Sequence, residues 1–151
     1  SMLHKPFPHV WWCNFSSVTT EAMQQSRCLI SVADNATEID RKTFADARFK
    51  RWFLLPHDEN NEIGDEYLIA LLGVSRIAKD NGWLPLTVYC WAGQHRSPAA
   101  CAVIEACLFK SSLESCIAEV VELWPDFVRH RNGAYASSLI RRFKELYEVS
   151  R

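Results

Sequence analysis

The octet Cys90-Trp91-Ala92-Gly93-Gln94-His95-Arg96-Ser97 restricts this chain more than any other stretch. It sets a cysteine and an arginine six positions apart. The backbone N–H groups from Trp91 to Arg96 can curl around an anion if a strand feeds the loop and a helix leaves it. The flanks permit both. Leu86-Thr87-Val88-Tyr89 is mostly apolar with two β-branched residues and reads as a buried strand, and Pro85 can precede such a strand without interrupting it. Ser97 is placed to start a helix, with Pro98 at the first helical position and Ala99-Ala100-Cys101-Ala102-Val103-Ile104 continuing it.

These residue types agree in their chemistry. A helix N-terminus and a neighbouring arginine favour thiolate over thiol, so Cys90 is expected to be an ionised nucleophile. Arg96 offers a planar fork that matches two phosphate oxygens. Gly93 opens backbone angles closed to other residues. The assembly suits attack of a cysteine on a phosphate monoester.

Composition narrows the setting. The 151 residues, 48% hydrophobic and 23% charged, predict one domain spanning residues 1–151 with a sizeable core. A net charge of −1 gives no electrostatic case for nucleic acid or an anionic membrane surface as partner. No apolar run has membrane-spanning length, and no signal-peptide pattern opens the sequence. The six cysteines (13, 28, 90, 101, 107 and 116) fall mostly within apolar patterns, without paired CxxC or Cys/His zinc spacing. A reducing cytoplasm is the expected location, with Cys101 and Cys107 facing the core.

No repeat or linker interrupts the chain. Strands are predicted at His9-Val10-Trp11-Trp12, Cys28-Leu29-Ile30-Ser31-Val32 (ended by Ala33-Asp34-Asn35) and Arg51-Trp52-Phe53-Leu54-Leu55 (stopped by Pro56). A short helix starts at Thr19-Thr20-Glu21. Another runs from about Asp65 with Leu68, Leu71, Leu72 and Ala78 on one face and closes at Asn81-Gly82. Ser111 with Glu114 makes a capping-box start for a helix carrying Leu113, Cys116, Ile117 and Val120. The last helix shows Leu139, Phe143, Leu146 and Tyr147 at helical spacing. Alternating strands and helices predict an α/β fold, a central and mainly parallel sheet between two helical layers. Ligands of such sheets bind at the carboxyl ends of the strands, where Cys90 falls.

The octet resembles the signature of the cysteine-dependent protein tyrosine phosphatase superfamily: cysteine, five residues, arginine, then serine or threonine. Its place past mid-chain is similar to the dual-specificity-like branch. The resemblance implies metal-free hydrolysis in two steps, with no cofactor, on a phosphorylated protein or a small phosphomonoester. Cys90 would take the phosphoryl group while Arg96 and the loop residues Trp91, Ala92, Gly93, Gln94 and His95 hold its oxygens. Ser97 would assist the departing thiolate.

A thiolate mechanism also needs an acid on a separate loop. Asp58 in Pro56-His57-Asp58-Glu59 is the foremost candidate, 32 residues before Cys90 as in that branch. Glu59, Glu62 and Asp65 compete, although Asp65 could simply cap the helix it precedes. Asn132, in Arg131-Asn132-Gly133-Ala134-Tyr135, resembles the asparagine that braces the active-site loops, though Asn-Gly is also an ordinary turn.

There are departures. Tyr89 stands where the family usually has histidine, which implies weaker support for the thiolate. The loop lacks the paired lysines of phosphoinositide phosphatases. His95 could add charge to the pocket or face solvent. Trp11-Trp12 is expected to pack at the sheet, and Arg129-His130-Arg131 to be a solvated loop or a receiver of acidic substrate. Three alternatives are a phosphoryl-binding module with poor turnover, a phosphatase of a phosphoinositide, nucleotide or RNA 5′ end, and a rhodanese-type sulfur transferase. Arg96 and Ser97 favour phosphate over the last.

Overall fold

In the computed structural model, which describes residues 2–34 and 51–148, the apolar runs become four parallel strands. They are β1 (Val10–Asn14), β2 (Cys28–Ser31), β3 (Trp52–Leu54) and β4 (Leu86–Cys90), in the order β1-β4-β2-β3. β4, which ends on Cys90, is central and every one of its residues is buried. Its register aligns Asn14 of β1 with Cys90, and Ser31 of β2 with Tyr89. All four strands therefore deliver their chain ends to the same edge of the sheet.

Side chains alternate across the sheet and divide its core in two. Trp12, Ile30, Val88 and Cys90 join the larger cluster, beneath helices α2 (Asp65–Asp80), α3 (Arg96–Phe109), α4 (Leu113–Leu123) and α6 (Ala134–Phe143). Cys13, Leu29, Trp52 and Tyr89 form the smaller one, against Val18 and Ala22. Among the described residues that second face is covered by short turns from Phe15 to Ala22 and by α1 (Met23–Gln25), where a single short helix from Thr19 was expected. α3 is buried from Arg96 to Leu108. Its alanines, Ala99, Ala100, Ala102 and Ala106, suit the close approach to the sheet that so buried a helix requires.

Three helix details differ from expectation. α3 starts at Arg96 with His95 as N-cap, so Pro98 occupies its third position. Proline is harmless there because first-turn amides lack intrahelical acceptors. The cap of α4 is Ser112, which accepts from Ser115 N–H at 3.4 Å, whereas Ser111 was expected. Leu146 is 43% exposed, while Leu139 and Phe143 are buried. The helical period drifts where α6 passes into a wider turn at Lys144–Glu148. Asn81 and Gly82, at φ +74°, close α2 as expected. All six cysteines are free thiols and buried.

Glu105 is the exception in α3. It is 8% exposed and, among the described residues, its Oε2 has no hydrogen-bond partner. Burial pushes its carboxyl up from 4.5 to about 7. The folded chain thus retains a proton that the unfolded chain releases, so stability falls as pH rises from 4.5 towards 7. Glu105→Gln should raise the unfolding free energy at pH 8 by up to about 3 kcal/mol and flatten that decline, as read by urea titration at several pH values.

Candidate active site

Cys90 ends the central strand and Arg96 opens α3, so the five residues between them bridge the sheet edge and a helix N-terminus. Contacts from the first strand and the residue after it shape this loop. Trp12 Nε1 donates to Gly93 O at 3.0 Å, and Phe15 N–H donates to Trp91 O at 3.2 Å. Gly93 adopts φ +68°, and a Cβ there would lie 2.9 Å from Asn14 N. Left-handed backbone and lack of space both require glycine.

The thiol lies at the floor of the loop. Ser97 N–H points to Cys90 Sγ at 3.4 Å, and Ser97 Oγ lies 3.1 Å from it. Arg96 is 4% exposed. Its Nη1 donates to His57 O at 2.8 Å, to Asp34 Oδ1 at 3.0 Å and to Val32 O at 3.4 Å. Its Nε is buried with no hydrogen-bond partner among the described residues. One end of the guanidinium is thus anchored to protein, while the Nε–H faces none of the described acceptors.

Cys90 and Arg96 line a cavity of about 620 Å3, together with Trp91, Ala92, Gln94 and His95 of the loop. Asp58, Glu59 and Asn60 come from the loop after β3, Asp34 from the segment after β2, His130 from the short helix Phe127–His130, and Gly133 and Ala134 from the start of α6. Asp58 is half-buried and oriented locally, its Oδ1 accepting from Asn60 N–H at 2.9 Å. Glu62 and Asp65 turn outward into ion pairs with Arg141 at 3.3 Å and Arg142 at 2.6 Å. Asp65 is the first residue of α2, and Gly64 is its N-cap.

Other expected residues fall elsewhere. Asn132 is exposed, and among the described residues its side chain makes no hydrogen bond to the active-site loops. Arg129 is exposed and paired with Asp126 at 2.8 Å; in place of the expected loop, Phe127–His130 forms α5, which brings His130 to the cavity. Trp12 is fully buried, packing at the sheet as expected. His95 is inward rather than solvent-facing, its side chain 12% exposed. Burial holds the imidazole below its ordinary titration range, a partial counterweight being the Glu59 hydrogen bond. It therefore brings a neutral ring to the cavity at neutral pH.

Sequence reasoning missed Asp34, treated only as the end of a strand. Its position at the carboxyl end of a strand beside β4 was the available signal. It also missed His57 and Tyr135. Tyr135 is fully buried, its hydroxyl 2.9 Å from that of Tyr67, and both rings meet His57 edge-on.

The architecture matches solved structures over nearly its whole length. Human DUSP28 aligns with a TM-score of 0.71 at 14% identity, covering 99% of this chain and 95% of that one. Tk-PTP in its active form gives 0.69 at 16%, with 97% of each covered. This is the dual-specificity phosphatase fold. PTPMT1 in complex with PI(5)P has it too, with a TM-score of 0.67 at 13% identity and 100% of both chains covered. The sequence matches no family model, and no curated protein matches it. Among the described residues no helix is long and apolar enough to cross a membrane.

Within this fold, Tyr89 is a core residue on the sheet face opposite the Cys90 side chain. It is fully buried, and its hydroxyl accepts from Trp52 Nε1 at 2.7 Å. Tyr89→Phe removes that acceptor and should lower the unfolding free energy by about 1–2 kcal/mol in urea.

Proposed function

We propose that the chain is a phosphate-monoester hydrolase working through a cysteinyl-phosphate, with phosphorylated protein side chains as substrate. The observation that carries this reading is the convergence, on one cavity, of a thiol at a helix N-terminus, a buried guanidinium whose Nε–H has no partner among the described residues, and a carboxylate from a separate loop. Cys90 Sγ attacks phosphorus as the ester bond breaks. Arg96 and the loop amides hold the equatorial oxygens, and Asp58 protonates the departing oxygen. Water, giving its proton to the same aspartate, then cleaves the sulfur–phosphorus bond. Ser97 is placed to hydrogen-bond the thiolate that leaves.

The lining favours a single phosphate. Among the described residues it carries one arginine, no lysine and three carboxylates, Asp34, Asp58 and Glu59. A second or third phosphate would be repelled by these acids, which disfavours polyphosphorylated headgroups and polyphosphate nucleotides. Trp91, 37% exposed and 4.5 Å from the Phe15 ring centroid, offers an aromatic edge to an aryl ester.

Cys90→Ser should abolish hydrolysis of an aryl phosphate while phosphotyrosine-peptide binding survives, since Arg96 and the amides remain. Substantial turnover by that variant would refute the nucleophile. If the wild-type chain binds the peptide but releases no phosphate in a single turnover, it is a phosphoryl-binding module instead.

Asp58→Asn should lower turnover of phosphotyrosine by roughly 10²–10⁴-fold, and that of an activated aryl phosphate much less, because only the poorer leaving group needs a proton. Equal losses on both substrates would make Asp58 structural. A selective loss in Glu59→Gln instead would move the acid to that neighbour.

A further inference from the structure

The imidazole of His95 joins three segments that the sequence keeps apart. Its Nε2 accepts the Ala136 N–H at 3.3 Å. That is the third amide of α6, among those a helix leaves without an intrahelical acceptor. Because Nε2 accepts, the neutral ring carries its proton on Nδ1, which donates to Glu59 Oε2 at 3.4 Å. The preceding amide, Tyr135 N–H, donates to Glu59 O at 3.2 Å. Two successive amides of α6 are thus satisfied by the acid loop and the phosphate loop.

Gly133 makes room for this contact. Its φ of −66° is open to any residue, so no turn requires glycine. An added Cβ would instead lie 2.6 Å from His95 Nε2 and closer still to Cε1. Those atoms belong to a ring that is 12% exposed and tied by hydrogen bonds at both nitrogens, so moving it aside breaks those bonds. Its surroundings are Glu59 from the acid loop, His130 from α5, Tyr135 from α6 and Arg96 at the start of α3.

We propose that His95 is a positioning residue that clamps the acid loop and the start of α6 onto the phosphate loop, with Gly133 held free of a side chain to admit the imidazole. Its catalytic consequence rests on the phosphatase reading above; the clamp itself does not. Protonation would turn Nε2 into a donor facing the Ala136 N–H, so the clamp works only with neutral imidazole.

The test is a cycle of His95→Ala, Gly133→Ala and the double variant, followed by urea unfolding at neutral pH. Gly133→Ala should lower the urea midpoint of the wild-type protein and cause a much smaller fall in the His95→Ala background, where only the His130 O contact at 3.3 Å and the change of cap residue remain. An equal fall in both backgrounds overturns the proposal. Ring-nitrogen NMR should show the Nδ1–H tautomer of His95, and an Nε2–H tautomer would overturn it. His95→Gln, whose amide can both accept and donate, should regain most of the lost midpoint.

In turnover, His95→Ala should lose about ten- to a hundredfold in kcat on phosphotyrosine, less on an activated aryl phosphate, with KM little changed. His95→Gln should recover much of that loss. Equal kcat losses on the two substrates overturn the link to the acid loop. Should the wild-type chain hydrolyse neither, the unfolding cycle still decides the clamp, and the phosphatase reading alone fails.

Discussion

A buried guanidinium must have its N–H groups accepted, and the site is arranged around that demand. Arg96 is withdrawn from water, where an unpaired charge costs several kcal/mol. The chain meets part of the cost with the carbonyls of Val32 and His57 and the carboxylate of Asp34. Those acceptors belong to the segment just after β2 and to the loop after β3. Satisfying the arginine therefore places the loop that carries Asp58 and fixes which edge of the guanidinium remains for a ligand. Polar satisfaction and the geometry of the proposed site have the same solution here.

The acid loop has little regular structure of its own and is held by what it touches. Tyr67 donates its hydroxyl to Leu55 O at 2.7 Å, and Ser138 Oγ accepts the Ile63 N–H at 2.9 Å. Outside them, Glu62 and Asp65 pair with arginines of α6. Exposed pairs of this kind stabilise weakly, which fits a peripheral role. The inner hydrogen bonds, shielded from water, are the stronger restraints.

The strand–loop–helix around Cys90 was legible because its parts are contiguous: apolar run, glycine loop and small-residue helix each obey local rules. The parallel sheet was legible from alternation of elements. Asn132 shows where this reading failed. Asn-Gly signalled a turn, yet the glycine there serves a neighbour 38 residues earlier, His95, and nothing local reports such a contact. The two serines before α4 failed for a similar reason. The Ser111–Glu114 spacing fits a capping box, but Glu148 Oε1, from the far end of the chain, takes the Leu113 N–H at 2.8 Å, and Ser112 becomes the cap. Asp34, His57 and Tyr135 are ordinary residue types whose importance comes only from packing.

The hydrogen bond from Trp12 to Gly93 O spans 81 positions. The octet does not hold its own shape. Its glycine sits where it does because the backbone of Asn14 leaves no room for a side chain there and an indole from the opening strand donates to its carbonyl. Transplanting the octet with its strand and helix into another α/β scaffold would carry over each reactive group but leave the loop without its outer wall. The portable unit is larger, comprising two neighbouring parallel strands and the helix between them and the solvent. Any shortening of this chain that removes the segment before Cys13 would retain the whole signature and lose the surface that gives it form.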